Sequence, residues 1–173
     1  FYRNIQTINK RINAFMTIFY ILSNKYNQNK IVLNKDNSFC ANDVYFDFQV
    51  SLTPIRSFVL NFDLFLKRCV SCEGYFVFNK KTEYGDIELN QFKDGELKIE
   101  WEDDEIDIPI YDYLINSKLK YDVKRNRLLL GDININEIIR FGNGQYASFK
   151  DNKLIGVIVD FTKNCFSEQT VKN

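Results

Sequence analysis

Cys69-Val70-Ser71-Cys72 places two thiols at the spacing of a dithiol redox pair or of half a zinc site. A reactive thiol gains from the N-terminal end of a helix. The periodicity upstream instead predicts a helix whose C-terminal end meets Cys69, and that end disfavours thiolate. A zinc site needs two further soft ligands. With no histidine in the chain these reduce to Cys40 and Cys165, far apart in sequence, or to carboxylates. The pair is therefore expected to behave as small hydrophobes, with no metal and no cofactor. Gly142-Asn143-Gly144-Gln145-Tyr146-Ala147 matches G-x-G-x-x-A, and Asp160 follows where a ribose-binding acid would stand. A parallel crossover needs about a dozen residues and a helix, yet Gln145 to Lys153 carries a strand pattern of its own. A glycine-rich hairpin turn is the expectation.

Charge gives two further features. Glu100, Glu102, Asp103, Asp104, Glu105 and Asp107 surround Trp101. Without the turn glycine and spacing of a calcium loop, they read either as a solvated hairpin tip that resists edge-to-edge pairing or as an acidic recognition patch. In the second reading Trp101 anchors the patch on a basic protein surface. Lys118, Lys120, Lys124, Arg125 and Arg127 cluster near Tyr111, Tyr113 and Tyr121, a mixture that can hold single-stranded nucleic acid. It carries no module signature, and the bland alternative is a hairpin turning at Lys124-Arg125-Asn126.

Composition narrows the field. Among 173 residues there is no histidine, which excludes Ser-His-Asp and Cys-His nucleophiles, histidine-ligated zinc hydrolases and an imidazole pH switch. Lys and Arg total 23 and Asp and Glu total 23, so no global field attracts nucleic acid or an anionic membrane. Acid pairs such as Asp47 with Asp63 or Asp112 with Asp122 have nothing in the sequence to bring them together, and no catalytic residue is nominated. The four cysteines are sparse for this length, which favours the cytosol, and the apolar stretch 14–22 is too short to span a bilayer.

The elements that would position these groups follow from periodicity. Ile5, Ile8, Ile12, Phe15, Met16, Phe19, Leu22 and Tyr26 fall on one stripe and predict an amphipathic helix over 4–26, with Ile18 and Ile21 off the stripe. Val44, Phe46, Phe48 and Val50 alternate as a half-buried strand. Thr53-Pro54 caps a second predicted helix over 54–69, with Ile55, Phe58, Val59, Phe62, Phe65, Leu66 and Cys69 as its apolar face. Strands are then predicted at 75–78, 85–92 and 96–101, the last two joined by an Asp94-Gly95 hairpin turn, and at 106–110. The last third reads as strands at 119–123, 127–130, 145–149 and 154–161, with short helical pieces at 111–116 and 135–140 and a turn at Asp151-Asn152. The expected architecture is a single α+β domain over 1–163, two helices covering one face of a mostly antiparallel sheet, and a polar frayed tail over 164–173.

That order of a strand, a Thr-Pro-capped helix, Gly74-Tyr75-Phe76-Val77-Phe78, Asp86-Ile87-Glu88-Leu89 and Asp94-Gly95-Glu96-Leu97-Lys98-Ile99-Glu100 resembles the small α+β immunity proteins of bacterial contact-dependent and polymorphic toxin systems. The resemblance covers about residues 44–110 and lies in layout, not in an invariant motif. Lys153-Leu154-Ile155-Gly156-Val157-Ile158-Val159 likewise resembles the closing strand of several small bacterial β-proteins. It implies a cytoplasmic, cofactor-free, non-enzymatic protein that binds and blocks a cognate toxin. On that reading the partner is a basic toxin domain, and Glu100, Trp101, Glu102, Asp103, Asp104, Glu105 and Asp107 are its contact. Two other readings stand beside it. One is an accessory subunit of a larger assembly docking through Ile18, Ile21, Leu60 and Leu64. The other is a histidine-free enzyme working through carboxylates, lysine or tyrosine.

Overall fold

Strands, not helices, make up the described residues of this chain. A computed structural model describes residues 16–41, 45–52, 58–63, 65–78, 80, 82–101 and 118–163. Its strands are β1 (Met16–Leu22), β2 (Asn27–Leu33), β3 (Ser38–Ala41), β4 (Phe48–Ser51), β5 (Phe58–Asp63), β6 (Arg68–Tyr75) and β7 (Glu83–Tyr84). They continue with β8 (Lys93–Trp101), β9 (Leu119–Asp122), β10 (Arg127–Gly131), β11 (Ile138–Asn143), β12 (Gln145–Lys150) and β13 (Lys153–Asp160), before a 3-10 turn at Phe161–Lys163. They form one sheet, curled into a half-barrel, in the order β1-β8-β6-β3-β2-β11-β12-β13-β10-β9-β7, with β4 and β5 branching from β6. Pairing is antiparallel except where β11 meets β2 and β8, and where β7 meets β9.

The α+β expectation is corrected: among the described residues there is no α-helix. In the segment predicted as the first helix, β1 pairs with β8 from Met16 with Trp101 to Leu22 with Gly95. Ile18 is buried and Tyr20 packs on the core, while Ile21 stands 49% exposed. Thr17, Ile18, Phe19, Tyr20 and Ile21 are β-branched or aromatic, and their preference for a pleated surface outweighs a stripe that happened to recur at helical spacing. In the second, Phe58, Val59, Leu60, Asn61 and Phe62 are all buried in β5. A run of this length that is apolar but for Asn61, whose amide donates to Ser71, fits a strand covered on both faces as well as it fits a helix. Thr53-Pro54, Leu64, residues 1–15 and the elements predicted at 106–110 and 111–116 lie outside the described residues, as does the tail over 164–173.

Three further expectations change. Asp94-Gly95 is not a turn, because β8 runs through it. A Cβ on Gly95 would stand 2.8 Å from the Ile21 carbonyl oxygen and 2.9 Å from Ile139 Cγ2, so this glycine permits a close approach of strands. The helix predicted at 135–140 is a turn leading into β11. The strand predicted at 75–78 is not formed: β6 ends at Tyr75, and residues 76–78 follow as irregular chain.

The core has two layers. Leu128, Leu130, Ile139, Phe141, Ala147, Phe149, Val157 and Val159 face the inside of the curl with Ile31, Phe39, Leu60, Phe62 and Leu97. The intervening Leu129, Ile138, Tyr146 and Ile158 face the other way, where Ile87 and Leu89 cover them. Residues 85–92 thus alternate as expected but lie as an irregular strap over the back of the sheet.

Candidate functional site

The predicted contact begins where β8 ends. Leu97 and Ile99 point into the core, and Glu100 is exposed on the opposite face. Trp101 is the last residue of β8, in register with Met16 at the outer strand pair. Glu102, Asp103, Asp104, Glu105 and Asp107 lie outside the described residues. For the accessory-subunit surface, Ile18 and Leu60 are 2% and 0% exposed and belong to the core, while Ile21 remains at the surface.

The basic cluster is engaged within the fold. Arg125 contacts Asp86, Glu88 and Asp122 at 3.2, 3.0 and 3.1 Å. Arg127 bonds Asp160 at 3.0 Å and donates to the Ile87 carbonyl, Lys118 pairs with Glu83, and Lys120 donates to the Asp86 carbonyl. A cation already neutralised by a carboxylate contributes little phosphate affinity, which weakens the nucleic-acid reading at Lys118, Arg125 and Arg127, while Lys120 meets a backbone carbonyl and Lys124 stays exposed. Asp122 is the centre of this network. Burial pushes its carboxyl up, but the Ile87 and Arg125 backbone N–H groups and the Arg125 guanidinium outweigh that and hold it down at about 2.

The thiols are inert. β6 carries a bulge opposite Asn61 and Phe62, so that Cys72 faces Leu60 and Cys69 faces Phe62. That irregularity turns two residues at odd spacing onto one face of the sheet, inside the core. Burial pushes both thiols well above their usual range, which suppresses the nucleophilic thiolate. The helix end invoked from sequence plays no part. Among the described residues no group of three or more acidic or thiol side chains is arranged to hold a metal. Gly142 to Ala147 is the β11–β12 hairpin, turning at Gly144 with φ +75°, as expected. Asp151 and Asn152 form the next turn with φ +50° and +60°.

Two surfaces emerge that sequence reasoning did not identify. The first is an aromatic ridge. Tyr75, Val77, Phe78 and Tyr84 are 48%, 52%, 37% and 60% exposed. Phe78 stands 5.1 Å from the Phe76 ring, 4.9 Å from Tyr121 and 6.3 Å from Tyr84, so the exposed Phe78 and Tyr84 rings are continuous with the core through Phe76. The second is a half-open groove of about 580 Å³ between the β1–β2 turn, the β5–β6 hairpin, β8 and β11. Asn24, Lys25, Gln28, Tyr45, Asp63 and Arg68 are among its lining. In sequence these groups are scattered over several elements, and only the curl of the sheet assembles them.

Comparison with known proteins returns no relative: no family model, no curated protein and no solved structure matches the chain. No helix among the described residues is long and apolar enough to cross a membrane.

Proposed function

We propose that this chain is a non-enzymatic protein-binding module, and the observation that carries the reading is the ridge of Tyr75, Val77, Phe78 and Tyr84. Rings stacked against one another yet left in water are the kind of group that anchors a protein interface. Phe78 is held against Phe76 and Tyr121, and Tyr84 against Phe78, so ordering these two rings on binding costs little side-chain entropy. In its finer form the module is a toxin-neutralising immunity protein: the ridge supplies the apolar anchor and the acidic run 100–107 steers a basic toxin domain toward it. The layout resemblance lends this form no structural support: β5 occupies the segment of its capped helix, residues 76–78 and 85–92 carry no regular strand, and β8 runs through its Asp94-Gly95 turn.

The test is partner capture from native extract by the wild type, by Phe78→Ser/Tyr84→Ser and by the control Ile135→Ser, whose side chain is 61% exposed elsewhere. The wild type and control are expected to retain one stoichiometric protein, and the ridge variant to lose it while a cooperative melting transition shows that it is still folded at the capture temperature. Equal capture by all three would refute the reading. For the immunity form, the captured protein must arrest growth when expressed alone and not when co-expressed with this chain. Changing Glu100, Glu102, Asp103, Asp104 and Glu105 to their amides must then slow association and flatten its salt dependence.

A further inference from the structure

Four arginines lie among the described residues, and three of them are pinned by carboxylates: Arg125 to Glu88 at 3.0 Å, Arg127 to Asp160 at 3.0 Å and Arg140 to Asp94 at 2.6 Å. Arg68 differs. Its Nε has no hydrogen-bond partner, and its nearest carboxylate oxygen, from Glu96, stands 3.9 Å from Nη1, beyond hydrogen-bonding distance. Glu96 gives its other oxygen to Lys98 at 2.9 Å, which leaves it a poor claimant on the guanidinium. The Arg68 side chain is 43% exposed, so its outer nitrogens open into the groove while the stem is held in the wall.

The position is built. Arg68 opens β6, pairing in register with Asp63 of β5 and with Lys98 of β8, at the junction of three strands. Lys25 brings a second cation to the same groove. Around these cations the wall offers the amides of Asn24 and Gln28, the Asp63 carboxylate and the exposed Tyr45 ring. Asp63 takes the Leu66 backbone N–H on one oxygen at 2.9 Å, leaving the other as an acceptor. Planar amides and carboxylates match the adjacent hydroxyls of a sugar ring, an aromatic ring matches its apolar face, and a guanidinium matches a carboxylate. The volume suits a ligand of one or two rings.

We infer that this groove binds a sugar acid, a hydroxylated ring whose carboxylate meets Arg68 and whose hydroxyls meet the Asn24, Gln28 and Asp63 side chains. The site is separate from the aromatic ridge and stands or falls independently of the protein-binding reading. The carboxylate is either that of a free sugar acid or that of a terminal residue on an acidic glycan.

The experiment is titration of the 15N-labelled protein with D-galacturonate and N-acetylneuraminate, with methyl galactoside as the neutral control. At least one acid is expected to give saturable shifts at the amides of Lys25, Tyr26 and Arg68, with the neutral sugar bound at least about tenfold more weakly. Arg68→Gln should weaken the acid about tenfold or more, and Tyr45→Ala, which leaves the core untouched, should weaken it by a smaller factor. A galacturonate trimer separates the two sources: tighter binding than the monomer assigns a glycan end, equal or weaker binding a free acid. Failure of both acids to saturate, or equal affinity for the neutral sugar, or unchanged affinity in Arg68→Gln, would overturn the inference.

Discussion

Gly95 shows how much one absent carbon can decide. Its backbone passes so near the Ile21 carbonyl and the Ile139 side chain that a Cβ would stand under 3.0 Å from both. Gly95→Ala must therefore push β8 away from β1 or β11, with an expected loss of about 1–3 kcal/mol of stability, read as a fall in denaturation midpoint. Gly85→Ala is the contrast, because its nearest neighbour is the flexible Lys120 side chain at 3.2 Å, and it should change stability by less than about 0.5 kcal/mol. In the sequence Asp94-Gly95 carries the signature of a hairpin turn, and nothing local distinguishes a glycine needed for a turn from one needed for a close approach. Asp94 likewise reads as a turn residue, whereas its carboxylate clasps Arg140, whose guanidinium also lies 4.0 Å from the Tyr26 ring centroid. Arg68 was invisible for the same reason: an unclaimed guanidinium is a property of its surroundings.

At the scale of elements, the strap over 85–92 closes the back of the sheet with two side chains, Ile87 and Leu89. The Ile87 N–H donates to Asp122 at 2.9 Å and its carbonyl accepts from Arg127 at 2.8 Å, so the strap is fastened to β9 and β10 from both sides. Ile87→Ala removes the plug and leaves those fastenings, and is expected to cost about 2–4 kcal/mol, measured by chemical denaturation. Strands β9, β10, β12 and β13 and the turns between them were legible because each is a short apolar run bounded by Asn, Asp or Gly at positions of positive φ. Phe48 and Val50 also fell on the buried face expected of them. The N-terminal elements were not legible in type. In β1 the inward residues Ile18 and Tyr20 share a segment with apolar residues that remain at the surface, and in β5 both faces are covered, so neither displays clean alternation. The acidic run was legible as charge, but only Glu100 among its acids could be placed.

At the scale of the molecule, one buried carboxylate among the described residues links stability to acid. Asp122 ionises at about 2 in the fold, below its ordinary value of 3.8, so the stability it adds is fully present above pH 3.8 and is lost as pH falls through about 2. That contribution is about 2 kcal/mol. Asp122→Asn should lower stability at neutral pH and flatten the acid dependence between about pH 4 and 2, as read from denaturation midpoints across that range. The order of strands also has a kinetic meaning. β9 with β10, β11 with β12 and β12 with β13 are neighbours in both sequence and space, whereas β1 finds its partner in β8 only after the whole first half of the chain has been drawn together. β11 then offers its free side to Asn27 and Lys93 in parallel register. Short loops close before long ones, so the C-terminal meander and the local β2–β3 and β4–β5–β6 pairs are expected to form before β1 closes on β8. In pulse-labelled hydrogen exchange during refolding, the amides of Leu129 and Ile158 should become protected before those of Ile18 and Tyr20; simultaneous protection would instead mean that the molecule orders as one unit. Nascent chains leave the ribosome N-terminus first, so β1 emerges well before β8, and its unpaired backbone edge is open to other strands during that interval.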